Sequence, residues 1–114
     1  MISKLVTILL AASASMLLSP VATARGDLAA GQAKAKQVCA ACHGENGDKP
    51  LQPEYPVLSG QHADYLSKSL KDYKSGARKN AIMGAQAQSL SAKDIEDVAA
   101  WFASRSGPLH VKRH

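Results

Sequence analysis

The chain contains only two cysteines, and they stand in the run Cys39-Ala40-Ala41-Cys42-His43. A C-x-x-C-H run is the attachment site of a c-type haem. The two thiols lie one helical turn apart, so both can add to the vinyl groups at one porphyrin edge, and the histidine that follows is placed to bind the iron. A chain this short has to fold around so large an apolar group, and this constrains the fold more than any other feature.

Two other kinds of site use C-x-x-C pairs. A redox-active disulfide of the thioredoxin type needs a strand leading into the motif within a βαβ pattern, and the sequence has no strand pattern. A structural zinc ion needs four ligands, and no second cysteine pair or closely spaced histidine pair completes such a set. Haem attachment is therefore the preferred interpretation of the motif.

The first 24 residues have the pattern of a secretory signal peptide. Lys4 supplies a positive start, residues 5–18 are apolar, and Ala22-Thr23-Ala24 forms a small-x-small cleavage site before Arg25. The apolar stretch is short for a membrane span and is diluted by Ser and Ala. We therefore expect residues 1–24 to be removed on export to the bacterial periplasm. The alternative is an uncleaved membrane anchor.

The exported part is expected to form one domain over residues 25–106, followed by a basic, flexible tail over residues 107–114 that carries His110 and His114. The 114-residue chain has a formal net charge of +5. A modest positive charge suits docking to an acidic patch on a redox partner, and it is equally typical of an ordinary solubilising surface. The basic residues are scattered, which argues against nucleic-acid binding.

Four segments have helical character. In the first, Asp27 can cap a helix whose apolar positions Leu28, Gly31, Ala35 and Val38 recur at steps of three and four residues. This helix would run directly into the cysteine pair.

The middle of the chain has weaker signals. The glycines and prolines of residues 44–56 predict a long loop. A helix then starts near Gly60 or Gln61 and ends at Gly76, because a glycine commonly follows the last turn of a helix. Residues 76–90 are expected to be irregular or weakly helical.

The last helix has the clearest pattern. Ser91-Ala92-Lys93-Asp94 matches a capping box with Asp in place of Glu, an apolar stripe follows it, and the helix stops before Gly107-Pro108. No strand pattern or internal repeat is present, so the sequence predicts a single all-α domain.

The chain resembles the class I cytochromes c, and within that class the small bacterial members that are single-haem relatives of the dihaem periplasmic cytochromes c. The resemblance covers nearly all of the chain after residue 24. It rests on these segments: Cys39-Ala40-Ala41-Cys42-His43-Gly44, Pro56-Val57-Leu58-Ser59-Gly60-Gln61, Tyr65-Leu66, Tyr73-Lys74-Ser75-Gly76-Ala77-Arg78, and Met83 followed by Leu90-Ser91, Asp94-Ile95 and Ala99-Ala100-Trp101-Phe102. With only one C-x-x-C-H run, this chain alone does not have the dihaem form.

The resemblance implies an all-α class I fold, with three to four helices packed around one haem c that Cys39 and Cys42 hold through two thioethers. His43 and Met83 would be the axial iron ligands, since a thioether opposite the histidine raises the potential of the haem. A methionine often just fills a core gap. Met83, however, is the only methionine after the leader, it precedes a glycine, and it is expected in an irregular loop and not on a helix stripe. His62 is a competing ligand, but it follows the motif too closely, and we expect it to be exposed or near a propionate.

A ligand histidine is normally oriented by a hydrogen bond from its other ring nitrogen. In the family the acceptor is a proline carbonyl in the loop after the motif. Pro56 matches that position best, and Pro53 is the second choice. Proline keeps its carbonyl, and its fixed φ makes that carbonyl rigid.

The resemblance also implies roles for residues around the haem. Side chains at the positions of Gln61, Tyr65 and Arg78 hydrogen-bond haem propionates in relatives, and each of the three could equally be a plain surface residue here. Gly31 and Trp101 would be structural, because the first and last helices are expected to cross at nearly a right angle where a glycine admits a large aromatic side chain.

The leading functional hypothesis is a monomeric periplasmic electron-transfer protein that catalyses no bond chemistry. Its expected partners are redox proteins, namely a quinol-oxidising complex upstream and a terminal oxidase or reductase downstream. One alternative is a haem-based sensor of small ligands in which Met83 leaves the iron. Another is a haem subunit bound tightly to a larger oxidoreductase.

Overall fold

The computed structural model describes residues 26–109. The predicted signal peptide over residues 1–24 and the tail histidines His110 and His114 lie outside the described residues. The helices are α1 Leu28–Val38, α2 Ala40–His43, α3 Ala63–Ser75, α4 Ala81–Gln88 and α5 Ala92–Ala103. Residues 26–109 contain no strand, so the predicted all-α class is confirmed, with five helices instead of three or four. None of the described helices is long and apolar enough to cross a membrane.

The capping contacts of α1 and α5 are those expected from the sequence. Asp27 Oδ1 accepts a hydrogen bond from the N–H of Ala30 at 3.0 Å. Ser91 Oγ accepts from the N–H of Asp94 at 3.0 Å, and Asp94 Oδ2 accepts from the N–H of Ser91 at 2.9 Å, which completes the capping box. The backbone N–H groups of Ala30 and Ser91 lower the pKa of Asp27 and Asp94 respectively, so both caps are ionised at neutral pH.

Helix α3 begins at Ala63, later than the predicted start at Gly60 or Gln61. Gly60 has a φ of 81°, which is left-handed backbone and cannot open a right-handed helix. Its N–H donates instead to the carbonyl oxygen of Phe102 at 3.0 Å and holds this turn against α5. The predicted end is confirmed, because Gly76 caps the helix with a φ of 83°.

Residues 76–90 differ most from the expectation of an irregular or weakly helical segment. Ala81–Gln88 forms a regular helix capped by Asn80, and Met83 lies in its first turn. The expectation that Met83 stands outside a helix is therefore wrong. Only Ala87 of this helix is buried, so its sequence lacks the apolar stripe by which a helix is recognised.

Helix α5 is the centre of the packing, because α1 and α3 both lie against it and α4 lies against α3. The buried core cluster consists of Ala35, Leu66, Val98, Ala99, Trp101 and Phe102. At the contact of α1 with α5, a Cβ added to Gly31 would lie 2.0 Å from the carbonyl oxygen of Asp97 and 3.0 Å from Cβ of Trp101. The expected approach of Trp101 to this glycine is present, and the position has no room for a side chain.

A buried carboxylate ties the start of α1 to α5. Asp97 is buried, with 6% of its side chain exposed. Its Oδ1 accepts from the N–H of Asp27 at 2.7 Å, and its Oδ2 accepts from Nζ of Lys93 at 2.5 Å. A buried carboxylate is tolerated when its oxygens have donors, as they have here. The hydrogen bond between Asp27 and Asp97 fixes where α1 begins, and therefore also the position of the cysteine motif at the other end of this helix.

We expect Gly31→Ala to lower the free energy of unfolding by about 3 kcal/mol, because the added methyl group overpacks a contact between two backbones. The denaturant midpoint of the haem-loaded protein measures this change. Gly84→Ala is the matched control, since its methyl group would meet only the carbonyl oxygen of Tyr73 at 3.9 Å. That variant should be unchanged or slightly more stable. Equal midpoints for the two variants would contradict the close helix contact.

Candidate haem site

The cysteine motif is a continuation of α1. Cys39 ends α1, its N–H donates to the carbonyl oxygen of Ala35 at 2.8 Å, and it also opens the short helix α2. The N–H groups of Cys42 and His43 both donate back to the carbonyl oxygen of Cys39, at 3.2 and 3.0 Å. This turn sets the two thiols one helical turn apart, with the histidine next to the second. Both cysteines are free and half-buried.

The environment of Cys39 is apolar. Its side chain packs against the core cluster, and burial raises the pKa of the thiol to about 11, with a smaller contribution from Cys42. A disulfide-exchange nucleophile or a zinc ligand works as a thiolate, and such sites lower the pKa of the thiol instead of raising it. Residues 26–109 also contain no cluster of three or more His, Cys, Asp or Glu side chains that could hold a metal ion. A neutral thiol among apolar atoms suits a thioether.

His43 is buried and oriented. Its side chain is 6% exposed, and Nδ1 lies 2.9 Å from the carbonyl oxygen of Pro56. The acceptor is thus Pro56 and not Pro53. Because a carbonyl can only accept, Nδ1 carries a proton, and the tautomer of the neutral imidazole that fits this contact is the one with its lone pair on Nε2. The ring of Tyr55 stands near the imidazole, with centroids 6.2 Å apart and the planes at 50°.

The loop that carries Pro56 is held by backbone hydrogen bonds. The carbonyl oxygen of Gly47 accepts from the N–H groups of Leu58 and Ser59 at 2.7 and 3.1 Å. The N–H of Leu51 donates to the carbonyl oxygen of Cys42 at 2.9 Å. Gly47 has a φ of 70°, and a Cβ there would lie 2.7 Å from the ring of Phe102. The loop therefore folds back on both α2 and α5 and presents its carbonyl from a fixed position.

Met83 is half-buried in the first turn of α4. Its N–H donates to Oδ1 of Asn80 at 2.9 Å. The neighbouring Ile82 is 53% exposed. Met83 is thus presented from a short helix at the surface, held by a side-chain cap.

The three residues expected near the propionates keep free hydrogen-bonding capacity. Gln61 Oε1 accepts from the N–H of His62 at 2.9 Å, which leaves the side-chain amide NH₂ of Gln61. Tyr65 is 51% exposed. The guanidinium of Arg78 stacks on the ring of Tyr73 at 4.8 Å, so it lies along α3. His62 is exposed at the N-terminus of α3 and its side chain makes no capping bond.

Two residues near the site were not singled out from the sequence. Asn80 stands three residues before Met83, which is the spacing of an N-cap to the third helical residue, and it would have been found if residues 81–88 had been recognised as a helix. Tyr55 precedes Pro56, and no pattern in the sequence indicates that its ring would stand beside the ligand histidine.

The described residues fit a covalently attached haem. They include two free cysteines one turn apart and a buried imidazole whose Nδ1 is bonded to the carbonyl oxygen of Pro56. They also include large apolar side chains with much exposed surface in three separate segments, namely Leu51, Tyr65 and Ile82. Among the described residues, the buried apolar side chains larger than alanine are Leu66, Leu90, Ile95, Val98, Trp101 and Phe102. A small domain with so modest a core gains from a large apolar group attached to it.

Comparison with known proteins agrees with this site. The sequence model of the cytochrome c family matches residues 28–106. Cytochrome c4 of Pseudomonas aeruginosa is 48% identical over 88 residues, which is 77% of this chain and 43% of that protein. Cytochrome c-554(548) of Halomonas halodenitrificans is 48% identical over 83 residues, which is 70% of this chain and 98% of that protein.

The fold is similar to that in the crystal structure of reduced recombinant cytochrome c4 from Pseudomonas stutzeri. The TM-score is 0.66 and the identity 42%, over 72% of this chain and 47% of that chain. The chain thus spans less than half the length of these cytochromes c4. Because the family match covers more than half of the chain, the chain belongs to the cytochrome c family, among the class I members related to the dihaem cytochromes, and its cofactor is a covalently attached haem c.

Proposed function

We propose that this chain is an electron-transfer protein of the bacterial periplasm, in which His43 and Met83 are the two axial ligands of one haem c. The haem, when bound, supplies a one-electron Fe(III)/Fe(II) couple. The chain's own residues hold it, orient its ligands and present a surface to redox partners. If His43 and Met83 both bound the iron, no position on it would remain for a substrate, and the chain would catalyse no bond chemistry of its own.

The hydrogen bond from His43 Nδ1 to the carbonyl oxygen of Pro56 carries this proposal. It fixes the tautomer, so that Nε2 has the lone pair that an iron ligand needs. It also fixes the ring plane and makes the imidazole a better donor. Cys39 and Cys42, on the same turn, hold the cofactor next to that nitrogen.

Two properties of Met83 support the proposal, namely the ligand chemistry of its thioether and its position in the first turn of α4. It is the only methionine after residue 24, and a thioether is the soft, weakly basic ligand that raises the reduction potential. The expected loop is in fact a helix, and a helical first turn gives the side chain a more defined origin than a loop would. Gln61 and Tyr65 are proposed to donate to haem propionates.

A ligand sensor is the second candidate, and one observation favours it. Helix α4 buries a single residue, Ala87, so we expect the segment that carries Met83 to separate from the rest of the fold at a low cost in free energy. A small molecule could then take the place of Met83. The affinity of the native protein for external ligands separates this function from electron transfer.

The charge distribution supports docking to an acidic partner. Five lysines form ion pairs with carboxylates: Lys34 with Asp94, Lys36 with Glu45, Lys68 with Asp72, Lys71 with Glu96 and Lys93 with Asp97. Arg78 and Lys79 are exposed in the turn before α4, and no carboxylate among residues 26–109 forms an ion pair with either. This unpaired charge lies beside Met83 in the chain.

We expect Met83→Ala to leave the haem attached, because attachment depends on the two cysteines. The far-red absorption typical of methionine-ligated ferric haem should disappear, the reduction potential should fall, and the iron should bind cyanide or carbon monoxide more readily. Absorption spectra and a redox titration measure these changes.

His62→Ala is the control for this substitution, since His62 is the other candidate ligand among the described residues. It should leave the spectrum and the potential unchanged. An unchanged ferric spectrum and potential in Met83→Ala would refute methionine ligation. Ready binding of cyanide or carbon monoxide by the unaltered protein at neutral pH would favour the sensor over the electron carrier.

We expect the double substitution Arg78→Gln, Lys79→Gln to slow oxidation of the reduced protein by the anion ferricyanide about fivefold at low ionic strength, and to have little effect at high ionic strength. Stopped-flow kinetics measure the rate constants. The reduction potential should not change, and a shift would indicate instead that Arg78 contacts a propionate.

Lys68→Gln, Lys71→Gln removes the same charge from residues that are already in ion pairs. It should slow the reaction less than the first pair does. Equal effects of the two double variants would mean that only net charge matters, and that the turn before α4 is not a docking surface.

A further inference from the structure

Asn80 makes two hydrogen bonds to the backbone around Met83, one through its side chain and one through its main-chain oxygen. Its side-chain Oδ1 accepts from the N–H of Met83 at 2.9 Å, and its main-chain oxygen accepts from the N–H of Gly84 at 2.8 Å. Asn80 is extended, with φ of −159° and ψ of 124°, which is the usual geometry of a residue that caps a helix. The side-chain bond therefore ends on the residue that carries the proposed iron ligand.

The two ends of α4 are held differently. At its C-terminal end, Gln88 Nε2 donates to the carbonyl oxygen of Lys74 at 2.6 Å, and Nζ of Lys74 donates to the carbonyl oxygen of Leu90. Ala87, the buried residue of the helix, lies at this end as well. At the N-terminal end, Ala81 and Ile82 are exposed. The last turn is thus held by the burial of Ala87 and by two hydrogen bonds with Lys74 of α3, whereas the first turn is held by the Asn80 cap.

A helix of eight residues is too short to be stable by itself in water. We expect its first turn to separate before its last, since the N–H groups of the first turn have no partner within the helix and only the last turn is bonded to Lys74 of α3. In α4 the side chain of Asn80 supplies such a partner to Met83. Loss of the cap would leave the last turn docked on α3 while the first turn, with Met83, opens more often.

We propose that Asn80 is a positioning residue for the axial methionine: its side chain closes the first turn of α4 and so keeps Met83 on the iron. This rests on the proposed ligation by Met83. Asn80 itself contacts the ligand's backbone and not its sulfur. Its contribution is to the equilibrium between a closed turn, with the thioether in place, and an open turn, in which the iron is accessible.

Cyanide binding to the ferric holoprotein measures that equilibrium, because the apparent affinity scales with the fraction of molecules in which Met83 is away from the iron. Removal of an N-cap side chain typically changes such an equilibrium about fivefold. Asn80→Ala should therefore raise the apparent association constant for cyanide about fivefold. The far-red methionine absorption should weaken, and the haem should stay attached.

Two variants separate positioning from general stability. Asn80→Ser keeps a neutral capping oxygen and should return the cyanide affinity to near that of the unaltered protein. Ser91→Ala removes the cap of α5, a helix whose first turn does not carry Met83, and it should lower the unfolding midpoint without raising the cyanide affinity. The expected pattern is a rise in Asn80→Ala alone.

Other outcomes overturn the proposal. A rise in Ser91→Ala as large as that in Asn80→Ala would mean that overall stability controls access to the iron. A rise in Asn80→Ser as large as that in Asn80→Ala would mean that capping is not the cause. Met83→Ala separates a failure of the proposed ligation from a failure of the proposed role of Asn80. If this variant binds cyanide no better than the unaltered protein, ligation by Met83 is itself wrong. If it binds cyanide tightly while Asn80→Ala does not, only the role of Asn80 is wrong.

Discussion

The contact between α1 and α5 at Gly31 sets the position of the residues that hold the cofactor. The backbone of α1 lies directly against the carbonyl of Asp97 there, and the buried carboxylate of the same aspartate binds the N–H of Asp27. Two fixed points on one rigid helix determine where its last turn ends, and the cysteine motif begins at that turn. Cys39 consequently packs against the core. Attachment of the haem and packing of the helices therefore depend on the same few atoms, which is why a side chain at residue 31 would disturb both.

The two proposed axial ligands are held in different ways. His43 is buried, its Nδ1 is bonded to the carbonyl of Pro56, and the loop that carries this carbonyl is tied back to α2 and α5. Met83 stands on a short helix with one buried residue and a side-chain cap. In the proposed arrangement, the firmly held histidine and the covalent attachment would together keep the cofactor in place. On the proposed ligation, Met83 could be the more weakly held ligand without loss of the haem, and the exposed residue Asn80 would adjust how often Met83 leaves the iron.

The parts of the fold that could be predicted from the sequence are those decided by local chemistry. The helices that begin after Asp27 and after Ser91 could be predicted because a capping residue and an apolar stripe occur together in each. The C-x-x-C-H run could be recognised from its residues alone, without knowledge of the tertiary structure. Helix α4 could not be recognised in this way, because a helix that buries only Ala87 has no stripe, and its cap alone is a weak signal. The start of α3 was misplaced because the left-handed φ of Gly60 depends on a long-range bond to α5, which no local pattern encodes. The role of Pro56 was accessible only through the resemblance to a known family.

Two exposed cations without carboxylate partners, Arg78 and Lys79, lie in the same short stretch as Met83, residues 76–84. The lysines of α1, α3 and α5 that are neutralised by carboxylates lie on helices that pack on one another, whereas Arg78 and Lys79 lie in an exposed turn. If the chain transfers electrons as proposed, surface charge would act on the rate of encounter with its partners while leaving buried groups unaffected. Substitutions in this stretch can therefore alter docking and the hold on Met83. The Gly31 contact and the bond between His43 and Pro56, which carry the fold and the attachment, are left intact.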